Sequence, residues 1–203
     1  MGVRPLAAAA VVMLAAGCGA SGAQRGSSSV DAANVPAALV RESRPIGRGP
    51  SFHPPARGPV IGICRRALGP RRGVHVEVFA ANRVVLVAAG IGTRSPRRRF
   101  EGRISAAGCY GRLVTVEPTG VVLVSPGRPP ILAALFRSWG QPLSRRWLAG
   151  FAAGRSGPVE VFVNGRRWVG PPGAVPLKPH AEIVLEVGPH VPPHVAYTFP
   201  PGT

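Results

Sequence analysis

Apolar and polar positions alternate most clearly in two stretches towards the C-terminal end of the chain. Across residues 159–163, Val159, Val161 and Val163 alternate with Glu160 and Phe162. Asn164-Gly165 follows, the kind of pair that most readily takes positive φ in a two-residue type I′ turn, so a β-hairpin is predicted with Arg166, Arg167 and Trp168 on its return. After a Pro/Gly loop, residues 182–187 alternate again: Ile183, Leu185 and Val187 face one way, Glu182, Val184 and Glu186 the other. Residues 73–79 predict a first regular strand, with 83–88 pairing back on it. Val76-Glu77-Val78-Phe79 recurs unchanged at 159–162, and Arg83 and Arg166 fall at the same offset, an echo that fits two hairpins of one sheet. Between them, residues 113–124 flank Glu117-Pro118-Thr119-Gly120, a further hairpin with proline at a turn position.

Helical periodicity occurs once. Pro130 suits a first helical turn, Ile131, Leu132, Leu135, Phe136 and Trp139 then share one face, and Gly140 ends the run. So short a helix is unstable alone and must lie on the sheet. Leu143, Trp147, Leu148 and Phe151 are expected to add an irregular helical turn. This order of elements predicts an α+β fold, a β-grasp-like mixed sheet built from β-hairpins with one short helix packed across it.

The ends differ in character. Residues 1–18 have a short basic start with Arg4, an apolar run from Leu6 to Ala16 too short to span a bilayer comfortably, and a lipobox-like Leu14-Ala15-Ala16-Gly17-Cys18. They predict an export signal with Cys18 as the lipidation site; cleavage without lipidation would give a secreted protein. Residues 19–57 are rich in Ser, Gly and Pro without periodicity and predict a flexible stalk. Residues 58–188 are then the single domain, and 189–203 a Pro-rich tail from which Tyr197 and Phe199 are expected to pack back.

The formal charge of +17 rests on arginine, since Lys178 is the only lysine, and a high-GC codon bias accounts for part of it. The cluster Arg94, Arg97, Arg98, Arg99 and Arg103 reads as a long exposed loop. For an exported, tethered protein its anionic neighbours are phospholipid head groups or wall polymers; nucleic acid is not expected, and no aromatics interleave to stack bases. With Cys18 lipidated, Cys64 and Cys109 remain as an even pair in an exported chain, which predicts a disulfide. Soft metal ligation is the alternative, but there is no CxxC and no histidine at ligand spacing.

Catalytic templates are missing: no GxSxG, no HExxH, no phosphate-binding glycine loop, and Asp31 is the only aspartate. The enzymatic alternative would use a cleft near Trp139, Trp147 and Trp168. The expectation is a non-enzymatic envelope lipoprotein without a cofactor, held to the outer face of the cell membrane and presenting its domain to a protein partner or an anionic wall component.

Several segments together resemble a family of exported proteins and lipoproteins of high-GC bacteria, many of them histidine-rich, for which no activity is established. They are PVIGIC ending at Cys64, HVEVF from His75, AAGIG from Ala88, Cys109 with Leu113 and EPTG, LAALFRSWGQPLS, VEVFVNGRRW, VPLKPHAEIVLEVG and the terminal YTFPPG, which together span most of residues 58–202. Many relatives carry an HxH before the first strand and LHTHD after the second cysteine, a pattern like a metal site. Here Gly73 and Leu113-Val114-Thr115-Val116-Glu117 stand in those places. The resemblance therefore implies a degenerate copper or zinc site as the alternative function, with His75, Glu77 and His180 as the remaining candidates.

Overall fold

The computed structural model describes Met1, Gly2 and residues 44–155, 157–189 and 197–199. The chain divides into two units, Met1–Val40 and Arg41–Thr203, and the second holds all the regular structure described below. Cys18 and the signal segment lie outside the described residues, apart from Met1 and Gly2.

Strand β1 (Arg72–Ala80) is the axis of a seven-stranded mixed sheet. On one side it pairs in parallel with the last strand, β11 (Glu182–Val187), in the register His75 to Glu182 through Ala80 to Val187. On the other it pairs antiparallel with β6 (Val121–Val124) and, further along, with the short β2 (Arg83–Val84). Beyond β6 lies β5 (Leu113–Val114); beyond β11 lie β9 (Glu160–Val163) and β10 (Arg166–Arg167). The turn between β9 and β10 is the expected one, with Asn164 at φ 49° and Gly165 at φ 75°. The hairpin across 113–124 also forms, pairing Leu113 with Val124 and Val114 with Leu123.

Strand alternation gives the sheet one wholly apolar face. Val74, Val76, Val78, Val122, Val161, Ile183 and Leu185 lie in one core with Leu132, Leu135, Phe136 and Trp139 of the helix α1 (Leu132–Trp139). The helix needs this partner: it has no side-chain N-cap, and its start is held instead by a backbone bond from Leu132 to Val175 O. Gly140, left-handed at φ 79°, ends it where the sequence predicted. Trp139 is fully buried and donates its indole N–H to Pro54 O at 2.9 Å.

Four differences from the sequence reading have clear physical reasons. The second strand stops at Val84 rather than running to 88, although Val85 still bonds to Val78 O. Leu143, Trp147, Leu148 and Phe151 form no helical turn: β7 (Trp147–Leu148) and β8 (Phe151–Ala152) make a tight hairpin turning at Ala149, φ 49°, and Gly150. The folded body also starts before Gly58, because Val84 donates to Pro45 O, Leu86 to Phe52 O and Arg57 to Trp139 O, and Phe52 packs on Phe151. The arginine-rich stretch is not a loop but a two-stranded arm, β3 (Thr93–Phe100) and β4 (Arg103–Tyr110), turning at Glu101 and Gly102 with φ 47° and 79°.

The arm springs from a tightly built base. Thr115, fully buried, donates its hydroxyl to Ala88 O and accepts the N–H of Ile91. At Gly92, φ 67°, a Cβ would stand 1.9 Å from Leu113 O, so only glycine permits the approach. The disulfide between Cys64 and Cys109, Cα atoms 5.4 Å apart, clips the end of β4 to the strand-like contact of Arg65 with Tyr110.

The 45-residue separation of the cysteines makes this cross-link worth about 4 kcal/mol on the chain-entropy account. Cys64→Ala and Cys109→Ala are each expected to lower unfolding free energy in urea by roughly 2 to 5 kcal/mol. The double variant is expected to lose no more than either single one, because all three remove the same bond. Additive losses would show that the two side chains stabilise the fold independently.

Candidate functional site

Two regions gather chemistry. The first is the arm. Of its arginines, Arg97 folds back, donating Nε to the Thr93 hydroxyl at 2.8 Å and Nη2 to Thr93 O at 2.6 Å. Burial, with the like charge of Arg99 second, pulls its pKa below the ordinary arginine value. Arg99 reaches Ala89 O at 3.4 Å, and Arg103 pairs with Glu117 at 3.3 Å. Arg94 and Arg98 are exposed and make no side-chain hydrogen bond or ion pair among the described residues. Phe100, at the tip, is 65% exposed. Ile104, facing the body, is the arm's one fully apolar anchor, and its N–H bonds to Val116 O.

Next to the arm's base, Arg71 belongs to the scaffold. Its guanidinium donates to the carbonyls of Leu68, Gly111, Arg112 and Leu123, joining the segment before β1 to the turn between β4 and β5 and to β6. Desolvation lowers its pKa, and Tyr110 acts in the opposite direction. Arg65, Arg66 and Arg71 line an open cleft with Pro126, so positive charge continues from the arm to the body beside the disulfide.

The second region is the face of the sheet turned away from the helix. Period-two alternation puts His75, Glu77 and Phe79 of β1 there, beside Glu182, Val184 and Glu186 of β11 and Glu160 and Phe162 of β9. Four of the eight acidic residues in this basic chain thus share one face. In its middle, Phe79 and Val184 form a small second core flanked by Val84 and Phe162. At one end, Glu160 binds Arg167 at 2.5 Å. At the other, donor atoms of His75, Glu77 and Glu182 lie within 4.8 Å of one another. His75 is buried, its Nδ1 is 3.9 Å from Glu77 Oε1, and its Nε2 is 3.2 Å from Thr119 O. Tyr197 from the tail stacks on the His75 ring at 3.8 Å, as the sequence suggested, and Phe199 meets His180 at 4.9 Å.

Of the three metal candidates read from sequence, the structure brings together His75 and Glu77. His180, in the turn before β11 at φ 57°, stands outside the group, and Glu182 takes the third place. Glu182 reads in sequence as an ordinary solvent-side position; only the parallel register of β1 with β11 sets it beside His75. The three tryptophans have separate roles: Trp139 is core, Trp147 is 48% exposed on β7, and Trp168 closes on Pro171 O.

The two kinds of arginine should separate in a denaturation series. Arg71→Ala leaves four partly buried carbonyls without their charged donor and is expected to cost about 2 to 3 kcal/mol. Arg98→Ala is expected to stay within about 0.5 kcal/mol of the parent. Equal effects would contradict the division into scaffold and solvent-directed arginines. Comparison of the chain with models of protein families, with curated proteins and with solved structures finds no match.

Proposed function

We propose that the protein is a non-enzymatic cell-envelope lipoprotein, anchored through Cys18, whose domain lays its basic arm on the anionic phospholipid of the membrane that holds it. The exposed tip of the arm carries this reading: Arg98 and Arg99 lead directly to an exposed Phe100 at the turn. Arginine beside an exposed aromatic suits the head-group boundary, where the cation meets phosphate and the ring enters the acyl edge. A hydrated wall polymer would use the arginines and leave the ring without a partner. The lipobox-like end of the signal and the Ser/Gly/Pro-rich stretch after it supply the tether.

The fold assigned here is of β-grasp type. Its support is the strand order, in which the first and last strands of the sheet lie parallel at the centre, hairpin strands flank them, and the helix falls between the two hairpins in sequence. That architecture serves many interaction modules, so the functional reading rests on the arm and not on the fold.

Two measurements test the proposal. Cys18→Ser should release the protein from the membrane fraction on a high-salt wash, because two acyl chains hold stably whereas surface charge alone is screened. Retention through that wash would sink the lipoprotein assignment. The released protein should then co-sediment with phosphatidylglycerol vesicles at low salt and not with phosphatidylcholine vesicles. At about 1 kcal/mol per arginine near the surface, Arg94→Ser with Arg98→Ser should weaken that binding roughly thirtyfold. Binding to purified anionic wall polymer but not to vesicles would reassign the arm to the wall.

A further inference from the structure

We infer that His75, Glu77 and Glu182 form a binding site for a divalent transition metal of the zinc class, separate from the arm. The three residues sit on the two central strands of the sheet, each paired on both sides. His75 and Glu182 are register partners, and Glu77 lies two residues along on the same face. Their donor atoms fall within 4.8 Å of one another. Zinc bonds of about 2.0 to 2.2 Å place tetrahedral ligand atoms roughly 3.3 Å apart, so closing on an ion requires only side-chain torsions of the two glutamates.

The histidine's orientation is the second observation. Thr119 O can only accept a hydrogen bond, so the Nε2 facing it at 3.2 Å carries the proton. In the neutral ring this leaves the Nδ1 lone pair on the side of Glu77. Metal-binding imidazoles are oriented in this way, one nitrogen donating to a carbonyl while the other meets the ion. The loop that supplies the carbonyl is shaped for it: at Gly120, φ 81°, a Cβ would stand 2.6 Å from Val76 O and 3.2 Å from His75 Nε2. With a side chain there, the loop could not close over the ring. A cleft of about 120 Å³ lined by His75, Glu77, Pro118 and Thr119 adjoins the group and leaves room for a water ligand.

The donor set selects the metal class. One imidazole and two carboxylates suit zinc and its neighbours, the absence of sulfur disfavours copper(I), and the nitrogen with so few oxygens disfavours calcium. The competing account is a purely structural ion pair of protonated His75 with Glu77.

Titration of the purified protein with Zn²⁺ by calorimetry, and with Co²⁺ by visible absorption, separates the two. One ion per chain is expected, with ligand-field bands for bound Co²⁺. Glu182→Gln, which keeps the side chain's shape, should weaken binding at least tenfold and alter the Co²⁺ spectrum, and His75→Ala should abolish both. His180→Ala should change neither. Circular dichroism checks that each variant is folded; were His75→Ala to unfold, Glu182→Gln still decides. Absence of Zn²⁺ binding tighter than millimolar, or binding with the same affinity and Co²⁺ spectrum in Glu182→Gln, overturns the site.

Discussion

Everything in the body depends on the parallel pairing of β1 with β11. It joins the first long strand to the last, so the arm, the helix and both outer hairpins are all loops out of that one contact. A parallel pair cannot be closed by a tight turn and needs a crossover, and here the crossover includes α1, which covers the face that Val76, Val78, Ile183 and Leu185 present. The pairing therefore creates the core and also its reverse side. Once Ile183 and Leu185 point to the helix, Glu182 and Glu186 must point away from it, and the register decides which residues of β1 they stand beside.

The legible parts of this fold were those in which a local pattern and the final structure coincide. Asn164-Gly165 dictates its turn through backbone preference alone, and α1 is marked by four buried apolar residues on one face and a glycine at its end, the expected fifth, Ile131, standing exposed just before it. The arm was illegible for the opposite reason. Its buried residues are Thr93, Cys109 and Tyr110 at the base and Ile104 near the tip, so burial imposes no alternation along the strands, and a run of arginines looks like a solvated loop. The usable signal was Glu101-Gly102 at its tip. The hairpin of β7 and β8 misled because Trp147, Leu148 and Phe151 have a spacing that suits a helical face as well as a two-residue turn. Residues 44–57 carry no period because each contact is individual: one carbonyl to Val84, another to Leu86, a third to the indole of Trp139.

The candidate metal site shows the same division between local and global information. His75 and Glu77 share a face by strand period, which a sequence reveals. Glu182 joins them only through the register of a pairing between distant segments, which no local pattern encodes. His180 is a candidate only through the family resemblance, and its left-handed turn directs it to Phe199.

Charge is distributed with the same logic. A chain of net charge +17 could scatter its few carboxylates as counterions to arginine, and Glu117 with Arg103 does so. The half-buried Arg71 and Arg97 are satisfied differently: they bond to backbone carbonyls and a threonine hydroxyl. That frees carboxylates to collect on the reverse face of the sheet, where Glu186 stands directly across from Glu160 and Glu77 lies diagonal to Glu182. Like charges at cross-strand positions oppose folding, so a cation beside such a face is stabilising. Arg167 serves at the Glu160 end. At the His75 end, a divalent ion between Glu77 and Glu182 would do the same with a neutral imidazole. The anion contact proposed for the arm and the cation site proposed for the sheet would then draw on separate sets of charges, because backbone carbonyls and not glutamates meet Arg71 and Arg97.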